Sequence, residues 1–135
     1  MDPREIIQKA IDGIDERLTE ELRVRSLADA AGYSYPHFCR LFRAHTGLTP
    51  KEYLLRRRLL CAVYEMRGGK TKLEVAVKYG YSTYAGFYKA FRREFALSPT
   101  AFLRSHAAAK PHRINLLQEE QIMVSKTKLK ELLLR

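Results

Sequence analysis

Cysteine is scarce in this chain. Its 135 residues hold two, Cys39 and Cys61, both set among helix-patterned residues and without the spacing of a disulfide framework. A knottin-like scaffold is excluded, and a reducing cytosol is the expected compartment. Glycine and proline number seven and five and follow no collagen-type period. No run approaches the ~18 consecutive apolar residues of a membrane span, and the opening Met1-Asp2-Pro3-Arg4-Glu5 does not read as a signal peptide. What is present, 46% hydrophobic and 30% charged residues, describes a soluble globular domain rather than a disordered tail. A chain of this size buries roughly two-thirds of its unfolded surface, so its core needs neither disulfide nor structural metal.

Acidic residues are also in short supply, and unevenly so. Lys and Arg number 25 against 15 Asp and Glu, a net charge of +10. Residues 1–21 carry a net −4, residues 22–106 a net +11 and residues 107–135 a net +3. A basic middle beside an acidic start suggests one face built for a polyanion. On composition alone an ordinary solvated basic surface explains the numbers equally well.

The chain repeats itself. Gly32-Tyr33-Ser34 recurs as Gly80-Tyr81-Ser82 at an offset of 48. Thr83 adds one residue, and at an offset of 49 Phe38, Phe42 and Arg43 return as Phe87, Phe91 and Arg92, and Leu48-Thr49-Pro50 as Leu97-Ser98-Pro99. Leu27-Ala28 corresponds to Val75-Ala76 upstream. Two copies are too few for a solenoid and indicate a duplicated small module.

Each copy reads as helix, tight turn, helix. In the first, Ser26 is the expected cap of a short helix carrying Leu27, Ala28 and Ala31, and Gly32 ends it in the left-handed conformation. Ser34 then caps a second helix burying Phe38, Leu41 and Phe42, closed by Gly47. In the second copy Thr71 to Glu74 has the pattern of a capping box. The helix it opens carries Leu73, Val75, Ala76 and Tyr79; after Gly80, Ser82 or Thr83 opens another that buries Phe87, Ala90, Phe91 and Phe95. Around these units, Asp2-Pro3 starts a helix with Ile7, Ala10, Ile11, Ile14 and Leu18 on one face. Thr49-Pro50-Lys51-Glu52 starts a connector to about Arg67 that is apolar on more than one side, and Ser98-Pro99 starts a last helix to about His106. The fold class is all-α, two helix-turn-helix units joined by a long helix, about seven helices in all, with a short C-terminal tail.

Opposite the core, each second helix shows a matching face. In the first copy it is Tyr35, Pro36, Cys39, Arg40 and Arg43; in the second it is Tyr84, Ala85, Tyr88, Lys89 and Arg92, with Thr83 at its head. Both follow i, i+1, i+4, i+5, i+8 spacing and so share one helical side. A helix fits the DNA major groove, where Arg or Lys reaches guanine O6 and N7 and aromatic rings meet thymine methyls. Solvated positions opposite a core are the plainer reading of the same pattern.

These pieces resemble the AraC/XylS family of bacterial transcription regulators. The resemblance is carried by Leu27-Ala28, Gly32-Tyr33-Ser34, Phe38, Arg40-Leu41-Phe42, Thr46-Gly47, Pro50, Tyr53, Arg58-Leu59, Ala62, Ala76, Gly80-Tyr81, Phe87, Phe91, Phe95, Ser98-Pro99 and Phe102-Leu103-Arg104. It covers residues 5–106 and implies a seven-helix unit that binds two successive major grooves, as a cytoplasmic regulator with activation the expected direction. It also implies base reading by Pro36, Cys39 and Arg40, then by Tyr84, Ala85, Tyr88 and Lys89. The family's common glycine before Ser98-Pro99 is replaced by Ala96-Leu97, which puts the local turn in question.

Other patterns carry less. Gly69-Lys70-Thr71 imitates the end of a phosphate-binding loop, but the glycine it needs upstream is Tyr64. His37, His45, His106 and His112 share no metal-ligand spacing with the cysteines, so no metal or cofactor is expected. Cys39 is a small contact residue on the reading face, with oxidant sensing the other use of an exposed thiol. Arg56-Arg57-Arg58 is expected to be solvated or to touch phosphates. No nucleophile–base pair or paired carboxylates emerge, and no enzyme is expected.

The division expected is a DNA-binding domain over 1–106, with a first helix-turn-helix at about 5–48, a linker helix at about 50–67 and a second helix-turn-helix at about 71–106. Residues 107–135 follow as a tail: 107–111 read as the end of the packed unit, 114–124 as extended or helical, and 126–135 as the start of a helix leading toward an effector domain. A free-standing regulator whose tail folds back is the alternative. The expected partners are an asymmetric double-stranded promoter site and RNA polymerase, with no membrane. Two readings of other classes stay open: a basic helical module that meets an acidic protein, and the regulatory head of a fused enzyme.

Overall fold

The computed structural model of the chain describes residues 2–105 and 110–117. Seven α-helices follow in order: α1 (Pro3–Asp15), α2 (Val24–Ala31), α3 (Tyr35–Thr46), α4 (Pro50–Arg67), α5 (Lys72–Lys78), α6 (Tyr84–Phe95) and α7 (Pro99–Ser105). No strand occurs among the described residues. The 18-residue α4 is about 27 Å long and packs against α1 and α3 on one side and α5, α6 and α7 on the other. It is the shared spine of two lobes, which is why its apolar residues occupy more than one face. Tyr53, Leu59, Ala62 and Val63 are all buried along it.

Local chemistry sets most boundaries. Asp2 caps α1 by accepting from the Arg4 amide, Ser34 caps α3 from His37, and Thr83 rather than Ser82 caps α6 from Gly86. Thr49 and Glu52 close a full capping box on α4. At Thr71 the hydroxyl accepts from the Glu74 amide 3.3 Å away, which is one half of the box expected there. Gly32 and Gly80 sit at φ 79° and 95°, ending the short helix of each lobe at the same place in the repeat.

The expectations differ from the structure in a few places. Ser26 does not cap α2; the helix starts two residues earlier after Arg23, which makes no side-chain cap. Val24 is buried, and that burial holds the first turn in place of a hydroxyl. Of the apolar residues on α5, Leu73 is 56% exposed, as is Val77. In a helix of seven residues one face is already filled by Val75, Ala76 and Tyr79, and Leu73 and Val77 fall on the other. Ala90 and Phe95 are half-buried. Residue His106 lies outside the described residues.

Two of the three consecutive arginines are neither solvated nor at the surface for phosphates. Arg56 and Arg57 are 6% and 3% exposed. Arg57 grips Asp15 through two bonds of 3.0 and 3.3 Å and donates to the His112 carbonyl. The buried Tyr53 hydroxyl donates to the same carboxylate at 3.1 Å. Arg58 donates to the carbonyls of Leu18 and Glu20, pinning the α1–α2 loop. Arg56 reaches Glu94 of α6 at 3.4 Å and lies over the Phe95 ring.

Beyond α7 the chain returns to α1. Ile114 and Leu116 are buried there, and Gln8 clamps both by donating to the Ile114 carbonyl and accepting from the Leu116 amide, at 2.8 and 2.7 Å. Arg113 pairs with Asp12 alongside. Residues 118–135, including the helix expected over 126–135, lie outside the described residues.

Candidate nucleic-acid interface

The site is built twice on one plan. In lobe 1, α2 packs across α3, and in lobe 2, α5 packs across α6. Buried Phe38 and Phe42, their rings 6.0 Å apart, fix the rotation of α3; buried Phe87 and Phe91, 5.9 Å apart, fix that of α6. With those phenylalanines inward, the opposite face of each helix turns out. On α3, Pro36, Arg40 and Arg43 are exposed, and Tyr35 and Cys39 are half-buried. On α6, Ala85, Tyr88, Lys89 and Arg92 are exposed, as is the capping Thr83, and Tyr84 is half-buried. Each sequence-derived set therefore shares the outer side of one helix.

The chemistry of these surfaces is cationic and aromatic. Arg43 leans toward Glu52 at 3.6 Å, an exposed pair worth well under ~1 kcal/mol that a phosphate can displace. Burial, then a bond with Cys39, pushes the Tyr35 phenol above its ordinary value, and burial followed by the neighbouring Tyr88 does the same to Tyr84. Both phenols stay protonated at neutral pH and offer an O–H donor. Burial and the nearby Arg4 charge lower His45, so this histidine at the end of α3 adds no charge at neutral pH. Gly69 takes φ 94° in the α4–α5 turn, Lys70 pairs with Glu65, and Thr71 caps α5, so Gly69-Lys70-Thr71 serves as a turn.

Two cations beside these faces escaped the sequence reading. The Arg25 guanidinium lies 4.4 Å from the centre of the Tyr35 ring, and the Lys72 ammonium 5.1 Å from that of Tyr84. They stand ten and twelve residues before their rings, so no common spacing marks them in the sequence. The buried Asp15–Tyr53–Arg57 cluster was missed as well, since nothing local to three consecutive arginines announces a carboxylate some forty residues away.

Comparison with known proteins agrees with this geometry. A helix-turn-helix domain family matches residues 27–105. The chain is similar to the regulatory protein SoxS of Salmonella typhimurium, at 36% identity over 103 residues, covering 76% of this chain and 96% of that protein. It is 34% identical over 103 residues to SoxS of Escherichia coli, with the same coverage. It is 33% identical over 84 residues to the probable transcription factor PqrA of Proteus vulgaris, covering 62% of this chain and 69% of that one.

Proposed function

This chain belongs to the AraC/XylS family of transcription regulators, and from that premise we propose that one copy reads two successive major grooves of a promoter, α3 in one and α6 in the next. DNA binding and transcription regulation are its function. The observation that supports the finer reading is the repeated outer face, cationic and aromatic in both lobes, on helices held by one rigid spine. Arg40 and Lys89 discriminate bases, with Pro36, Cys39, Ala85 and Tyr88 shaping the fit and Tyr35, Thr83 and Tyr84 lining the groove edge. Arg43 and Arg92 hold phosphates.

The two faces differ in composition, so the site is asymmetric rather than palindromic, about 16–20 base pairs with its halves one helical turn apart. Activation of transcription through RNA polymerase is the direction proposed, in the cytoplasm. No helix of the described residues is long and apolar enough to cross a membrane. The proposed division keeps 1–106 as the DNA-binding domain and 107–135 as a tail leading toward an effector domain.

Selection of bound duplexes from a random pool tests this. The expected outcome is one asymmetric motif with two unequal halves. A perfect inverted repeat bound by two chains overturns the one-chain reading, and no enrichment at all overturns sequence-specific reading and favours a basic module that meets an acidic protein.

A further inference from the structure

The two cation–ring pairs occupy the same place in the two lobes but come from different positions of the repeat. Tyr35 and Tyr84 are equivalent, the first residues of α3 and α6. The cations are not: at the offset of 48, Arg25 corresponds to Leu73 and Lys72 to Val24. Leu73 is exposed and Val24 is buried, so neither can do in its own lobe what its counterpart does in the other. Lobe 2 has lost the cation at the position lobe 1 uses and has one a residue earlier, over the same ring. Placement over the first ring of the outward helix is thus kept while the residue that provides it changes.

Both cations are exposed, and neither pairs with a carboxylate among the described residues. Arg56, Arg57, Lys70, Lys78 and Arg113, by contrast, all have acidic partners within the protein. The rings beneath Arg25 and Lys72 are anchored. Tyr35 and Tyr84 pack against the core, and the Tyr84 ring also stacks on Phe87 at 5.9 Å. A long flexible cation resting on an anchored ring is held near one position before any ligand arrives, which lowers the ordering cost of a later contact. That position flanks the start of the outward helix. A helix lying in a major groove has the phosphates of the groove edge beside it, and contacts to them fix register without reading sequence.

We propose that Arg25 and Lys72 are a matched pair of backbone-phosphate contacts, one per lobe, that set the register of α3 and α6 in their grooves. This rests on the DNA-reading geometry above. It adds two residues outside both outward faces and separates their task from that of Arg40 and Lys89.

The test is binding of a fluorescein-labelled random-sequence duplex by the full chain, measured by anisotropy over a range of salt. Each phosphate neutralised contributes about 0.9 to the slope of log affinity against log salt. Arg25→Gln and Lys72→Gln are each expected to lower the slope by about 0.9, and the double variant by about twice that. Arg25→Lys and Lys72→Arg should restore the wild-type slope, and thermal unfolding should be unchanged because both side chains lie on the surface. The same losses should appear on the selected motif. A double variant with the wild-type slope overturns the pair and leaves the DNA-reading function intact. A wild-type chain without salt-dependent duplex binding overturns that function and the pair with it.

Discussion

The two lobes share a geometry and differ in what secures it. At the offset of 49, Thr46 of lobe 1 corresponds to Phe95 of lobe 2, Gly47 to Ala96, and Tyr53 to Phe102. Tyr53 meets Phe42 edge to face at 5.9 Å, and Phe102 meets Phe91 edge to face at 5.4 Å, so one ring contact is conserved in form. Around it lobe 1 adds polar locks. The buried Thr46 hydroxyl bonds to the Phe42 carbonyl and accepts from the Leu48 amide, and the Tyr53 hydroxyl reaches Asp15. Lobe 2 has rings instead, with Phe95 tilted against Phe91 at 4.8 Å and against Phe102 at 6.0 Å. A duplicated module keeps the helix placement that turns one face outward, and hydrogen bonds or aromatic area can each support it. The two supports fail in different ways: breaking the ion pair leaves a buried charge without its partner, whereas removing a ring leaves a cavity and loses apolar contact.

The largest expected effect is therefore in lobe 1. Asp15→Ala leaves the Arg57 guanidinium 3% exposed and without its carboxylate. Removing one partner of such a pair costs about 3–5 kcal/mol, read as a lowered midpoint in urea unfolding. Burial raises the Asp15 carboxyl above its ordinary value despite the Arg57 charge and the bonds from Arg57 and Tyr53. For the carboxyl, desolvation outweighs attraction, whereas the same contacts favour the charged form of Arg57; buried pairs of this kind are often matched in stability by apolar residues of similar volume. Asp15→Leu combined with Arg57→Met should recover most of the loss. If the double variant is as unstable as Asp15→Ala, the cluster is a net source of stability and the two lobes differ further in what secures them.

Tyr53→Phe makes the lobe 1 ring the chemical equal of Phe102. It removes a hydroxyl that donates to a half-buried carboxylate, at a cost of about 1.5–3 kcal/mol. The reverse change, Phe102→Tyr, offers lobe 2 a hydroxyl with no matching Asp15 and should give no gain. A Tyr53→Phe chain of wild-type stability would show that the two rings already act alike.

On DNA the comparison runs through Arg40 and Lys89. Each changed to Ala should lose about 1–3 kcal/mol on the selected site and relax preference only in its own half. The Arg40 half should be the more discriminating, because a guanidinium fork makes a bidentate contact that an ammonium does not. Equal losses on selected and random duplexes for Arg40→Ala would remove it from base reading.

What could be read in the sequence was whatever depends on neighbours along the chain. Ser34, Thr49 and Gly32 mark helix ends through bonds and dihedrals of their own segment, and Phe38 and Phe87 mark the buried face through helical spacing. The outward faces of α3 and α6 follow by subtraction. Arg57 and the return of residues 110–117 could not be read this way. Arg57 depends on Asp15, and Ile114 and Leu116 depend on Gln8, more than a hundred residues earlier. The exposure of Leu73 was out of reach for a related reason: an apolar residue at the start of a short helix is assigned to core or surface only when the rest of the helix shows which face is occupied.

The turn after each outward helix gives a smaller, stabilising test. Gly47 takes φ 78° without strain, while Ala96 takes φ 58°, the single positive φ outside glycine among the described residues. A left-handed alanine costs roughly 1–2 kcal/mol, and glycine's greater freedom when unfolded offsets part of what its removal would gain. The turn questioned in the sequence is thus formed, with alanine held in a glycine conformation. Ala96→Gly should raise stability by about 0.5–1 kcal/mol. A loss in urea unfolding would mean that the Ala96 methyl contributes more than its backbone costs.

The smallest effect is one of pH, and it opposes the lobes. Glu65 of α4 holds lobe 2 through Lys78 at 2.6 Å and Lys70 at 3.5 Å. Burial pushes its carboxyl up, but the Lys78 bond, the Tyr79 hydroxyl and the lysine charges together hold it below the ordinary 4.5. A carboxylate lowered in the folded state contributes stability above its unfolded value and loses it as pH falls through the folded one. Asp15 is raised, so its contribution is greatest below its ordinary 3.8 and declines as pH rises. Acid should therefore loosen the α4–α5 anchor while relieving the burial of Asp15 in lobe 1. The measurable consequence lies in Glu65→Gln, compared with wild type by urea unfolding from neutral pH to below 4.5. The wild-type advantage should be present at neutral pH and shrink through that window. An advantage constant with pH would assign the Glu65 contribution to shape and hydrogen bonding rather than charge, and would leave the two anchors alike in their response to acid.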